Sequence, residues 1–226
     1  MEMLYNPKDL TPKYYKTVQD DEELEHQIGR LQNFRAIIQE VHDKNLKGDF
    51  IEFGVFRGFS ILWTAYFCQQ AGLYDRALMG VDGFIGLSED DGIFKKGTLS
   101  STSRKECERA LKASPDLDAR IKERIQIHES LFENIQKMGS ILSGKKFVFV
   151  HIDCDLGSST LQLFQRIQET DCLADECFIL FDDYGCISSL AKIVDSHMRT
   201  LEDGWKITVH SSTKLTKNFH LQKRLL

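Results

Sequence analysis

The sequence predicts an α/β fold: a doubly wound, seven-stranded, mostly parallel sheet with helices on both faces and antiparallel C-terminal edge strands. Three observations lead there. Short apolar runs of strand length alternate with stretches of helical period along the chain, the pattern of a parallel sheet with crossover helices. The run over residues 146–153 is nearly all apolar, as a strand covered on both faces must be. The last two strand-like segments, 205–210 and 215–222, follow each other without a helix between them, as an antiparallel pair does.

Bulk properties narrow the class. The chain has 226 residues, 42% of them hydrophobic, and a formal charge of -5, so it can bury a substantial core. No basic block stands out, which argues against nucleic acid as a partner. The apolar runs are far shorter than the ~20 residues of a membrane span, and the N-terminus lacks the pattern of a signal peptide. Six cysteines at irregular spacings form no CxxC pair, which suits free thiols in the reducing cytoplasm.

Element by element, residues 1–20 are polar and irregular and read as an arm or lid. Residues 21–45 read as one helix, with Leu24, Ile28, Leu31, Phe34, Ile37, Ile38 and Val41 on one face. It is expected to cover one edge of the sheet. Residues 1–46 are thus expected to form an arm and helix, and 47–226 the main domain. The long helix and the C-terminal edge strands are surfaces on which a second copy could pack. The first strand is 50–53, and a helix runs to about residue 71. The second strand, 77–82, ends in Asp82. A Gly-, Ser- and Asp-rich segment, 83–103, is long enough to suggest a function. Then follow a helix at 104–113, a strand at 124–128, a helix at 131–142, the strand 146–153, a helix at 159–169, a strand at 176–182 and a helix at 188–201.

In such a sheet ligands bind at the C-terminal strand ends. Those ends carry Glu52 and Gly54, Asp82, Glu129 and Ser130, Asp153 and Asp155, and Asp182 and Asp183. Gly48–Ser60 reads as a strand, a tight glycine turn and a helix start, a nucleotide-binding corner. On its own it leaves a dinucleotide and a methyl donor equally open. Asp82 suits either a ribose diol or a turn. Asp153, Asp155, Asp182 and Asp183 would repel one another unless a cation sat between them. Their hard oxygens suit Mg2+, although Asp155 and Asp183 could instead cap helices. His151 reads as a core histidine, and Cys154 as pointing away from its flanking aspartates.

The segments Arg30–Arg35, Gly48–Gly58, Val81–Leu87, Glu129–Phe132, His151–Leu156 and Phe181–Gly185 occur in an order that resembles the macrocin O-methyltransferase family. That is a metal-dependent branch of the class I S-adenosylmethionine-dependent methyltransferases. The resemblance implies a Rossmann-like sheet binding S-adenosylmethionine at its first strand tips. Glu52, Gly54 and Ser60 would line the methionine part, Asp82 would hold the ribose, and Ser130 would lie near the adenine. Asp153, Asp182 and Asp183 would bind Mg2+, with Asp155 as general base. The implied acceptor is a hydroxyl of a small molecule, a sugar or glycosylated natural product. The chain departs from the family at Gly157, where an aromatic is usual, at Phe59 and at Ala174-Asp175-Glu176.

Other classes of protein use parts of this pattern. A haloacid-dehalogenase-type phosphatase needs its DxD near the start of the chain, whereas Asp153-Cys154-Asp155 lies late. A nucleotide-sugar glycosyltransferase leaves the glycine corner and Asp82 unexplained. A non-catalytic S-adenosylmethionine-binding module needs no acid cluster.

Overall fold

The structure is a computed structural model and describes residues 21–224; the expected N-terminal arm lies outside them. Helix α1 spans Asp21–Asp43, followed by β1 (Asp49–Phe53), α2 (Phe59–Gln70), β2 (Leu78–Asp82), α3 (Arg104–Ala113), α4 (Ala119–Lys122) and β3 (Ile125–Glu129). The chain continues through α5 (Ile135–Leu142), β4 (Phe147–Ile152), α6 (Gly157–Thr170), β5 (Leu173–Phe181), α7 (Ser188–Leu201), β6 (Trp205–Ser212) and β7 (Lys217–Lys223).

The seven strands form one sheet in the order β3-β2-β1-β4-β5-β7-β6. β1 to β5 run parallel and β7 is antiparallel to both β5 and β6. The order reverses between β1 and β4, so a crevice opens above their C-terminal ends. One helical layer packs α1 against α2 and α2 against α4, while α5, α6 and α7 pack in series as another. Among the described residues no helix is long and apolar enough to cross a membrane.

The apolar stripe of α1 forms as expected, with Leu31, Phe34, Ile37, Ile38 and Val41 buried. The helix reaches further inward than an edge cover would. The Phe34 ring stands edge-on to Phe149 and His151 of the central strand β4, at centroid distances of 5.5 and 4.8 Å. Towards the sheet edge, Glu40 meets His210 of β6 at 2.8 Å. α1 therefore bridges the sheet centre and the β6 side.

Three elements differ most from the sequence expectation, one being β5, which starts at Leu173 rather than at residue 176. α5 starts at Ile135 rather than at residue 131, because Asn134 caps it by accepting the Lys137 N–H at 3.0 Å. α4 is too short to show a period; the Asp118 carboxylate, accepting the Ile121 N–H at 3.0 Å, starts it.

The turn after β1 has almost no room. Gly54 has φ +91°, and a Cβ there would lie 1.7 Å from the Asp153 carbonyl oxygen. Gly54→Ala combines a left-handed backbone with overpacking, so we expect a loss of roughly 2–5 kcal/mol. Urea unfolding measures it, and a loss below about 1 kcal/mol would contradict this packing.

Candidate active site

A cavity of about 730 Å3 opens at the C-terminal strand ends, within the usual size of small-molecule sites. Gly54, Ser60, Asp82, Ser130, Asp153, Asp155, Asp182 and Asp183 all line it. At one end Asp82 is held by two loops. Its Oδ2 accepts the Phe56 N–H at 2.8 Å and its Oδ1 the Phe84 N–H at 2.6 Å. Both phenylalanines are left-handed, with φ +48° and +53°. That strain is the kind a functional site retains. Each carboxylate oxygen keeps a further lone pair, so the fixed carboxylate can still accept two hydroxyls. The Ser130 N–H donates to the Asp82 carbonyl at 2.9 Å and its hydroxyl to the Leu131 carbonyl at 3.0 Å, which joins the β2 and β3 tips. Ser60 is buried in the first turn of α2.

Glu52 does not reach the cavity. It is paired in register with His151, on the face that α1 covers. Its carboxylate is buried, with Oε2 at 3.4 Å from His151 Nδ1. Burial raises its pKa, although His151 pulls the other way. Strand alternation explains the placement: the residue before a strand's last one points to the face opposite its neighbour. His151 is itself a core residue, 1% exposed. Cys154 is buried with its thiol 3.7 Å from the Phe53 carbonyl, and all six cysteines are free.

The acids from β4 and β5 meet at the other end. Single carboxylate oxygens of Asp153, Asp155 and Asp183 lie within 4.8 Å of one another, and a second group joins His151, Asp153 and Asp182 at the same separation. Asp153 is common to both. Asp182 divides its oxygens. Its Oδ2 receives Arg30 Nη1 and lies 3.5 Å from His26 Nε2, while its Oδ1 is buried without a partner. Asp183 Oδ2 is likewise buried and unpartnered, and the Cys186 thiol donates to Asp183 Oδ1 at 3.3 Å.

Charge in this cluster is unevenly distributed. Burial and the Asp153 charge push Asp155 up to about 8. Burial and the Asp182 charge push Asp183 up to about 8. Asp153 is raised by burial and by Asp182, against the pull of Arg30. Burial also acts on Asp182, but the Arg30 guanidinium and His26 hold it well below the usual carboxylate range. Three crowded carboxyls resist ionisation here, and one is held ionised.

Arg30 carries no role in the sequence reading, yet it organises this end. It is 6% exposed, its Nη1 also donates to Asp153 Oδ2 at 2.9 Å, and Nη2 donates to Gln27 Oε1. The guanidinium lies 5.5 Å from the centre of the Phe59 ring. The available signal was a charged residue four positions before Phe34, on the buried stripe of α1.

The donor set fits a hard divalent cation. All the acids offer carboxylate oxygens, two of which are buried without partners, and their mutual repulsion is what a cation relieves. Arg30 neutralises only part of that charge.

The comparisons agree with this architecture. The profile of the family described as Macrocin-O-methyltransferase (TylF) matches residues 26–203. Among solved structures, the O-methyltransferase NovP is 18% identical with a TM-score of 0.70, over 86% of this chain and 80% of that one. The calicheamicin methyltransferase CalS11 is 17% identical with a TM-score of 0.67, over 94% and 86%. The methyltransferase PaMTH1 of Podospora anserina, bound to S-adenosylhomocysteine, is 12% identical with a TM-score of 0.53, over 99% and 98%. Searching curated proteins finds no match. The structures establish a methyltransferase fold; the family match, covering most of the chain, establishes that this protein belongs to the macrocin O-methyltransferase family of S-adenosylmethionine-dependent O-methyltransferases.

Proposed function

We propose that this enzyme methylates a hydroxyl of a sugar or glycosylated natural product, with a divalent cation, Mg2+, at the acid cluster. The observation that carries the reading is one cavity holding a fixed, hydroxyl-accepting Asp82 at one end and crowded carboxylates with unpartnered buried oxygens at the other. The family membership and the description of CalS11 as a calicheamicin methyltransferase support the acceptor class.

S-adenosylmethionine supplies the methyl group on its sulfonium. In this reading Asp82 accepts hydrogen bonds from the two ribose hydroxyls, Ser130 stands beside the adenine, and Gly54 and Ser60 border the methionine end. Asp153 and Asp183, with the free oxygen of Asp182, are the residues that would hold the cation, and a cation there would make an acceptor hydroxyl more acidic. Asp155 then receives the hydroxyl proton as the methyl is transferred. Calorimetry with S-adenosylhomocysteine tests the cofactor. No heat at about 1 mM ligand, where even a site of roughly -4 kcal/mol would be half filled, sinks the reading.

The cation makes a separate prediction. Asp155 and Asp183 have folded-state pKa values near 8, far above the ~3.9 of an unfolded chain. Raised carboxyls favour the protonated native state, so their contribution is complete below about pH 4 and is lost as pH climbs towards 8. A cation binds the ionised form, so its stabilisation must grow across the same window. Thermal melts in chelator should therefore fall in Tm between about pH 5 and 8, and Mg2+ or Mn2+ should restore more at pH 8 than at pH 5. A metal increment that is the same at both pH values would place the cation elsewhere.

A further inference from the structure

The connection between β2 and α3, residues 83–103, starts at the cofactor end of the cavity and reaches the acid end. At its root the Phe84 N–H is bonded to Asp82. Ile85, Leu87, Ser88 and Leu99 then form part of the cavity wall. At its tip, Asp91 and Phe94 exchange backbone hydrogen bonds of 3.1 and 3.0 Å, closing a tight turn. Gly92 in that turn has φ +57°, and a Cβ there would stand 2.3 Å from the Ile187 side chain. Ile187 precedes α7 and lies four residues after Asp183, so the tip abuts the loop that carries the β5 acids.

The tip also grips the loop that carries the β4 acids. α6 has no capping bond from its own N-cap residue, Leu156. Asp91 Oδ2 supplies one, accepting the Gly157 N–H at 3.0 Å, and the Ser158 hydroxyl donates to Glu89 Oε1. Immediately before this point Asp155 has φ +60°, and the Leu156 N–H closes on the Cys154 carbonyl at 2.6 Å. A left-handed aspartate in so tight a turn persists only where its surroundings hold it. Gly157 makes the grip feasible: a Cβ there would already lie 2.9 Å from Ile193 Cδ1 and 3.4 Å from Asp91 Oδ2. An aromatic side chain at this position would compete for the space that the tip fills.

We propose that residues 83–103 form a strap across the cavity and that Asp91 is a positioning residue. By capping α6 it holds the Asp155 turn, so that ordering the strap against the cofactor also fixes the base. This rests on the reading of Asp155 as the base in methyl transfer. The strap links the two ends of the site through bonded contacts at both of its attachments, without needing any shift of the sheet.

Hydrogen exchange by mass spectrometry, with and without S-adenosylhomocysteine, tests it. In the wild type the ligand should slow exchange by about fivefold or more in peptides covering 155–160 as well as in those covering 54–60. Asp91→Ala should bind the ligand within about threefold of wild-type affinity and keep protection at 54–60, yet lose it at 155–160. Asp91→Asn should retain it, because the amide oxygen can still accept the Gly157 N–H. If Asp91 is only a structural cap, Asp91→Ala exchanges faster at 155–160 with and without ligand and the ligand-dependent ratio is unchanged; that outcome overturns the proposal. Should Asp91→Ala not fold, Asp91→Ser, whose shorter side chain falls short of the Gly157 N–H, carries the test: lost ligand protection at 155–160 supports the strap and retained protection overturns it. Wild-type binding without protection at 155–160 removes the strap alone, whereas no wild-type binding removes the methyl-transfer reading itself.

Discussion

Asp155→Asn should lower kcat by about 10²–10⁴-fold while leaving S-adenosylhomocysteine affinity within a few-fold of wild type. The substitution keeps size and shape, and asparagine tolerates the left-handed backbone that residue 155 adopts, with φ +60°. What it removes is the ability to take a proton. It also removes one of the crowded charges that raise Asp183, so the apo protein should melt higher than wild type near pH 8. The variant would thus be more stable and less active, the usual signature of a site that stores strain for function. Transfer of labelled methyl to a sugar acceptor that the wild type uses, together with melts at pH 8, measures both effects. A kcat within about tenfold of wild type would take the base role away from Asp155. A parallel loss of cofactor affinity would assign the residue to binding.

Much of this architecture was legible because burial on both sheet faces leaves a direct mark. The strands β1, β2, β4 and β5 are apolar runs of strand length, and α1 shows its stripe of Phe34, Ile37, Ile38 and Val41 without help from context. Asp82, Asp153, Asp155, Asp182 and Asp183 share the cavity because strand ends share one side of a parallel sheet, whereas Glu129, at the end of β3, does not line it. Facing within the sheet was not legible. Glu52 lies one residue before the end of β1, and only the register opposite His151 reveals that its side chain enters the α1 layer. The start of α5 was misplaced for a related reason. Leu131 and Phe132 look like helical apolar positions, but they line the cavity, and Phe132 stands 6.1 Å from the Phe53 ring. The division of Asp182 between Arg30 and a free oxygen depends on a helix more than a hundred residues away, a contact that no local pattern encodes.

Arg30→Met tests that long-range contact, with a large expected cost in stability. The guanidinium is buried against Asp153 and Asp182, and Asp182 is 2% exposed. Removing one member of a buried ion pair leaves a charge without compensation, which costs about 3–5 kcal/mol. For a chain of this size that lowers Tm by roughly 6–20 °C. Methionine keeps much of the aliphatic volume, so the loss reports charge rather than a cavity. Arg30→Lys should recover only part of the loss, because a single ammonium cannot hold two carboxylates in the planar fork that arginine offers. A divalent cation should narrow the gap between wild type and Arg30→Met, since the same carboxylates would then find a positive partner. Calorimetric melts of the three proteins, with chelator and with Mg2+, measure each of these effects. A loss under about 1 kcal/mol for Arg30→Met would mean that Asp153 and Asp182 are neutralised by protons rather than by Arg30. The helix α1 would then contribute packing to the site and no charge.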